Sequence, residues 1–227
     1  MSSQVHGYAA AARTPPGAVS LAAEAIGVVA RLARPAAEAV KAAADLGRPL
    51  PIKIVSADIL HTSDIGGVRL DVPPDEATVH MACQAVTPAT ASASGVRVDG
   101  VPISPMRRGG TELSAGVVRD PQRGLALAVA IGGLFVEVLQ DSALAPVPVT
   151  PGQAGRLLGR LRGRAVLDGV RGAAPADLDS LSAVIAWVGD LALALGDDLE
   201  SLEVNPLLVD AATVEALDAD VTWRERG

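Results

Sequence analysis

Cysteine is nearly absent from this chain. The single thiol, Cys83, excludes an intrachain disulfide framework and a cysteine-based zinc site. Aromatic side chains are almost as scarce: two Trp, one Tyr and one Phe leave little with which to stack nucleobases. Positive charge is outweighed, with 19 basic against 26 acidic side chains and a formal charge of -7, a poor electrostatic footprint for nucleic acid. Long hydrophobic runs are missing too. The composition is 49% apolar, but much of it is alanine, and no uninterrupted apolar run approaches the roughly 18–20 residues of a spanning helix. Residues 1–19 contain no apolar stretch of the kind a secretory signal needs. The expectation is a soluble, cytoplasmic, globular protein that engages neither nucleic acid nor membrane.

Lysine is the most informative scarcity. Of the 19 basic residues 17 are Arg, and Lys occurs only at Lys41 and Lys53. Lys is a compact point charge suited to phosphate oxygens where the planar fork of Arg does not fit. The familiar nucleotide and hydrolase motifs are absent as well: no G-x-x-x-x-G-K-[ST] loop, no G-x-G, no H-E-x-x-H and no G-x-S-x-G.

What is present reads as mixed helices and strands. Residues 1–19 read as a loose tail, and Ser20 caps a helix running to Arg34. A second helix spans 36–46, ended by Gly47. Residues 51–55 read as a buried strand, 56–67 as a loop, 68–72 as an alternating strand and 73–86 as a helix opened by Pro73-Pro74-Asp75. A Ser/Thr/Ala-rich loop, 87–95, precedes strands at 96–105, 111–119 and 125–131, the last two joined as a hairpin by Asp120-Pro121-Gln122-Arg123-Gly124. Thr150-Pro151-Gly152-Gln153 is a capping box, a longer helix covers 175–195, and strands at 201–209 and 213–221 close the chain. Helices and strands do not alternate strictly, so the fold class is α+β, with two lobes.

Four features carry chemistry. Lys53 stands alone in an apolar strand, and a buried ammonium needs an anion; a structural carboxylate partner would satisfy it equally. His61, Thr62, Ser63, Asp64, Gly66 and Gly67 share one loop, in which an imidazole nucleophile and approachable backbone amides could serve phosphate chemistry, or which could be an ordinary turn. Met106-Arg107-Arg108-Gly109-Gly110-Thr111-Glu112 offers backbone for a base and a carboxylate for a ribose, although a plain hairpin explains the glycines as well. In Leu202-Glu203-Val204-Asn205-Pro206-Leu207, strand alternation puts Glu203 and Asn205 on one face, with Asp218 following 13 residues after Asn205. Asn and Asp oxygens on neighbouring strands suit Mg²⁺; solvent-facing acidic strand ends are the alternative.

The order of these features resembles one family. Lys53 in I-K-I-V-S, then D-I-L-H-x-x-D-I-G-G-V, P-M-x-x-G-G-x-E-L, R-D-P, G-G-L-F-V-E-V-L-x-D, L-E-V-N-P-L and L-D-A are similar to the ATP-grasp subunit of ADP-forming acyl-CoA (acetate–CoA) synthetases, relatives of succinyl-CoA synthetase beta chains. The resemblance runs from about residue 20 to 221. It implies an ATP-grasp fold of two α+β lobes, 20–103 and 104–227, enclosing a nucleotide site behind a flexible tail, 1–19. Lys53 is implied to bind ATP phosphates, with Gly66 and Gly67 beside them; Ser104, Met106 and Arg107 to form the adenine hinge; Glu112 to hold the ribose; and Asn205 and Asp218 to ligate Mg²⁺. His61 matches the histidine that takes up the phosphoryl group, with Glu203 near it. The implied reaction is acyl-CoA + ADP + phosphate to acid + ATP + CoA, and its reverse, through phosphohistidine. A separate CoA-binding alpha-type subunit would supply the CoA and small carboxylic acid chemistry in a hetero-oligomer.

Three positions depart from the family pattern. Thr62 stands where Lys usually follows the histidine, Ser104 replaces a longer hinge acceptor, and Asp220 replaces a basic residue, for which Arg107 and Arg108 could compensate. These departures motivate an alternative, a degenerate ATP-grasp module that senses nucleotide or scaffolds a partner. A third reading, an ATP-grasp ligase or kinase using an acyl-phosphate directly, leaves the histidine-bearing loop without a task.

Overall fold

The computed structural model describes residues 31–33, 36–54, 66–91, 100–132, 141–170 and 172–224. They divide into two compact units that part between Arg108 and Gly109.

In the first unit, helix α1 (Ala36–Leu46) buries Ala39, Ala42 and Ala43, the small face that helical spacing predicts. It stops at Gly47, whose φ of +61° is a left-handed conformation natural to glycine, and the Gly47 N–H donates to the carbonyl of Ala43 at 3.0 Å. Strand β1 (Arg31–Ala33) pairs antiparallel with β4 (Val101–Ile103), and β2 (Leu50–Lys53) with β3 (Val68–Val72). Residues 31–33 are thus strand, not the end of the helix expected over 20–34; pairing with β4 overrides the helix propensity of Arg, Leu and Ala, and the rest of that span lies outside the described residues. Helix α2 (Glu76–Ala91) begins where the Asp75 carboxylate accepts the Thr78 N–H at 2.9 Å, and it buries Val79, Ala82, Cys83 and Val86 at i, i+3, i+4 and i+7. It runs five residues past Val86, where the apolar periodicity that marks its length stops. The core of this unit gathers Leu50, Ile52, Ile54, Val79 and Val86, all fully buried.

The second unit is built on a six-stranded antiparallel sheet in which Ala219–Trp223 (β10), Leu199–Asp210 (β8), Thr111–Asp120 (β5), Gly124–Ile131 (β6) and Ser142–Pro146 (β7) lie side by side in that order, with Thr213–Ala216 (β9) also beside β8. Its centre is the hairpin of β5 (Thr111–Asp120) and β6 (Gly124–Ile131), where the Asp120 carboxylate accepts the N–H groups of Gln122 and Arg123, each at 2.8 Å. Strand β7 (Ser142–Pro146) follows, a short element without an alternating signal. Helix α3 (Pro151–Leu158) carries the expected capping box on Thr150 and Gln153, and a 3₁₀ helix spans Arg164–Asp168. Helix α4 (Leu178–Leu195) starts three residues later than expected because Asp177 caps it, accepting from the N–H groups of Asp179 and Ser180.

Strand β8 (Leu199–Asp210) runs between β5 and two short strands, β9 (Thr213–Ala216) and β10 (Ala219–Trp223), which replace the single strand expected over 213–221. Leu113, Ala115 and Val117 point to the buried face, against which α4 packs with Leu181, Ile185, Val188 and Ala192. Among the described residues α4 alone is long and apolar enough to cross a bilayer, but here it is a core helix packed on α3, β5, β6 and β8. The opposite sheet face carries Ser114, Gly116, Ser201, Glu203 and Asn205.

Candidate functional site

Each unit presents its own share of the expected residues. In the first, the strand holding Lys53 alternates: Leu50, Ile52 and Ile54 are buried, while Pro51 and Lys53 face the half-exposed side. Lys53 is therefore half-buried rather than sealed in the core, as a continuous apolar strand implies. It pairs with Val68 on β3, and next to it the N–H of Ile54 donates to the carbonyl of Gly67 at 3.0 Å. This brings the Gly66-Gly67 pair alongside Lys53, with Gly66 in the left-handed region at φ +71°. The N–H of Met106 donates to the carbonyl of Pro49 at 3.1 Å, lashing the segment that holds Ser104, Met106 and Arg107 to the leading end of β2. Three features that the sequence separates by up to 54 positions are thereby neighbours around one strand. Arg108 reaches back within this unit, where its guanidinium meets the Asp71 carboxylate at 2.6 Å in an exposed ion pair. His61 and Thr62 lie outside the described residues.

In the second unit, a defect in the sheet makes the geometry. The β5–β8 register shifts between Leu113 and Ala115, which pair with Leu207 and Val204, so β8 carries one extra residue there. That bulge falls at Asn205-Pro206, and on the other side of β8 the strand order breaks at Leu217-Asp218. Across the break the Asn205 N–H donates to the Asp218 carbonyl at 3.1 Å, and the Leu217 N–H to the Pro206 carbonyl at 3.0 Å. The two expected metal ligands are consequently adjacent on neighbouring strands. The Asp218 carboxylate accepts the N–H of Ala219 at 3.1 Å.

Glu203 shares a face with Asn205, as the alternation predicts. Its Oε1 accepts from Asn205 Nδ2 at 3.1 Å and lies 3.5 Å from the Ser114 hydroxyl that donates to it. Using the amide nitrogen in this way leaves Asn205 Oδ1 as the oxygen it can offer a cation. Ser114 was not singled out by sequence, although its place in the alternation of β5, two residues after Glu112, puts it on this face. Beside Glu203 a concavity of about 270 Å³ is floored by Gly116, Ala128 and Ala130 and edged by Ser114 and Val118. Asp220 is the cross-strand partner of Glu203, so one more acidic residue stands opposite it. Glu112 is exposed on β5, opposite Leu208.

The donor chemistry fits a hard cation. Asn205 and Asp218 offer an amide and a carboxylate oxygen, and among the described residues no group of three or more His, Cys, Asp and Glu gathers into a fuller cage. Mg²⁺ characteristically takes one or two protein oxygens and completes its shell with phosphate and water.

Comparison with known proteins gives the family. The chain is 34% identical over 193 residues to the acetate–CoA ligase (ADP-forming) I subunit beta of Pyrococcus furiosus, covering 83% of this chain and 81% of that one. It is 33% identical over 178 residues to the acetate–CoA ligase (ADP-forming) I of Archaeoglobus fulgidus, covering 78% of this chain but only 26% of that longer relative. Among solved structures, an acetyl-coenzyme A synthetase 1 of Ca. Korarchaeum cryptofilum, in complex with coenzyme A, Ca-AMPCP and HgCl⁺, superposes with a TM-score of 0.81 at 25% identity, over 88% of this chain and 89% of that one. The family model of the ATP-grasp domain matches residues 18–222, and with a fold of two α+β units the chain belongs to the ATP-grasp family.

Proposed function

We propose that this chain is the ATP-grasp, beta-type subunit of an ADP-forming acyl-CoA ligase of the acetate–CoA kind, moving a phosphoryl group between ATP/ADP and phosphohistidine. The observation that carries this reading is the placement of Asn205 beside Asp218 at a break in the sheet, with Glu203 held on the same face. Bulges are over-represented next to active sites, as they are at sheet edges, because they re-aim a side chain or end a pairing.

The roles follow from the chemistry of each group. The Lys53 ammonium, beside the Gly66-Gly67 amides, meets phosphate oxygens. Backbone groups of Ser104, Met106 and Arg107 face the adenine, and the Glu112 carboxylate accepts from ribose hydroxyls. Asn205 and Asp218 would hold Mg²⁺, which when bound supplies charge neutralisation at the phosphates. A neutral imidazole nitrogen of His61 attacks the γ-phosphorus; an N–P bond forms, the bond from that phosphorus to the β,γ-bridging oxygen breaks, and ADP leaves with the electron pair. The resemblance puts Glu203 near this histidine, and a carboxylate there would offset the positive charge that the ring gains. Such a loose transfer needs little beyond positioning and charge neutralisation, and that matches the residue types present. A CoA-binding alpha-type subunit takes the phosphoryl group onward to the small carboxylic acid and CoA, in the cytoplasm.

The test is reconstitution with the CoA-binding subunit of a related ligase. ATP formation from acetyl-CoA, ADP and phosphate, with acid-labile phosphate on His61, supports the proposal. Turnover that survives His61→Ala favours direct acyl-phosphate transfer instead. A second reading, a sensing or scaffolding module, is favoured by Asp220 standing opposite Glu203 where the family carries a basic residue. It predicts a stable complex with no turnover and no phosphorylated histidine.

A further inference from the structure

Two glycines stand near Glu112 where the neighbouring strand leaves no room for a side chain. Gly132 continues the β5–β6 ladder one residue beyond the Leu113–Ile131 pair, and its N–H donates to the Glu112 carbonyl at only 2.6 Å. A Cβ built on Gly132 would lie 2.8 Å from both the carbonyl carbon and the oxygen of Glu112 and 3.0 Å from its Cβ. Ordinary cross-strand Cβ atoms stand about 4.5–5.5 Å apart, so the approach is one only glycine allows. On the other side, Gly110 has φ +77°, and a Cβ there would lie 2.8 Å from the Val209 carbonyl and 3.1 Å from a Leu208 methyl. Glu112 is the next residue but one after Gly110 and pairs with Leu208 itself. In both cases the obstruction includes backbone, which cannot rotate aside as a flexible side chain does.

We infer that Gly110 and Gly132 are positioning residues that fix the backbone of Glu112 and thereby aim its carboxylate. The inference rests on the reading of Glu112 as the ribose ligand. A methyl at either glycine displaces the root of the Glu112 side chain, and a hydrogen bond that depends on its aim is lost while the rest of the nucleotide contacts remain.

The experiment compares Mg·ATP with Mg·2′,3′-dideoxy-ATP by calorimetry on the full chain in complex with its CoA-binding subunit, and on the same complex with Glu112→Ala, Gly132→Ala, Gly110→Ala and the Glu112→Ala/Gly132→Ala pair. The wild type should prefer ATP by about tenfold, the scale of a charge-assisted hydrogen bond. Glu112→Ala and Gly132→Ala should each abolish that preference with affinity for the dideoxynucleotide unchanged, and the double variant should match Glu112→Ala alone. A purely structural glycine would weaken both nucleotides alike. Preference lost in Glu112→Ala but kept in both glycine variants overturns the positioning role and leaves the ribose reading standing. A wild type that binds neither nucleotide, or binds both equally, overturns the ribose reading and the positioning role with it. If Gly132→Ala does not fold, Gly110→Ala reads the same quantity, and loss of folding in both assigns the glycines to the fold and overturns the proposal.

Discussion

The amide N–H of Asn205 donates to the backbone carbonyl of Asp218 at 3.1 Å, across the one place where the strand beside β8 is interrupted. Thirteen residues apart in sequence, the two become neighbours because β8 bulges at Asn205-Pro206 and β9 gives way to β10 at Leu217-Asp218. If these oxygens hold Mg²⁺, Asn205→Ala should raise the Mg²⁺ concentration needed for half-maximal ATP binding by roughly tenfold, on the scale of one lost charge-assisted contact. Titrating Mg²⁺ at fixed ATP measures it, and an unchanged requirement in both Asn205→Ala and Asp218→Asn would remove the metal site from this face.

Ser114 should act through Glu203. Its hydroxyl lies 3.5 Å from Glu203 Oε1, on a carboxylate that already receives the Asn205 amide. Ser114→Ala is expected to slow phosphoryl transfer in the reconstituted enzyme by a few-fold and leave ATP affinity unchanged, because the contact is long and one of two. A loss confined to ATP affinity would contradict this.

Asp141 gives the second unit an acid-sensitive clasp. The carboxylate, 8% exposed, accepts the N–H groups of Gly163 at 2.7 Å and Arg162 at 2.8 Å, joining the start of β7 to the turn after α3. The Gly163 amide first, and then that of Arg162, holds this carboxyl below the usual carboxylate range. A native pKa below the unfolded one contributes stability above the ordinary value of about 4, and that contribution is lost as pH falls through the lowered native value. Asp141→Asn should therefore melt below the wild type at pH 7, with the gap narrowing between pH 5 and pH 3. Thermal melts across that range check it; a gap independent of pH would contradict it.

Helix α4 should act as core. Ile185 is fully buried on it, and Ile185→Ala is expected to cost about 2–5 kcal/mol, measured by denaturant unfolding. A change below 1 kcal/mol would mean that the helix does not close the sheet.

Much of this was legible in the sequence where a local rule and the tertiary structure agree. The capping box at Thr150, the hairpin turn at Asp120 and helix α1 ending at Gly47 each follow from side chains that satisfy backbone groups within a few residues. Lys53, Glu112, Glu203, Asn205 and Asp218 were legible as a set only through their order along the chain. What escaped depends on pairing at a distance. Residues 31–33 read as helix until β4 supplies a partner, the split between β9 and β10 falls opposite the bulge on β8, and Arg108 finds Asp71 only once β3 is in place. Ser114 and Gly132 carry no motif of their own; their importance lies in what the neighbouring strand brings opposite them.

Lys53 tests the account most directly, since it is one of only two lysines in the chain and the one that lies half-buried on its strand next to the Ile54–Gly67 bond. Calorimetric titration with ATP in the presence of Mg²⁺ should show saturable binding to the wild type, in complex with its CoA-binding subunit, and a loss of roughly tenfold or more in Lys53→Ala, as expected for a charge-assisted phosphate contact. Equal binding by the two proteins, or none by either, would contradict the assignment of this chain as the nucleotide-binding subunit.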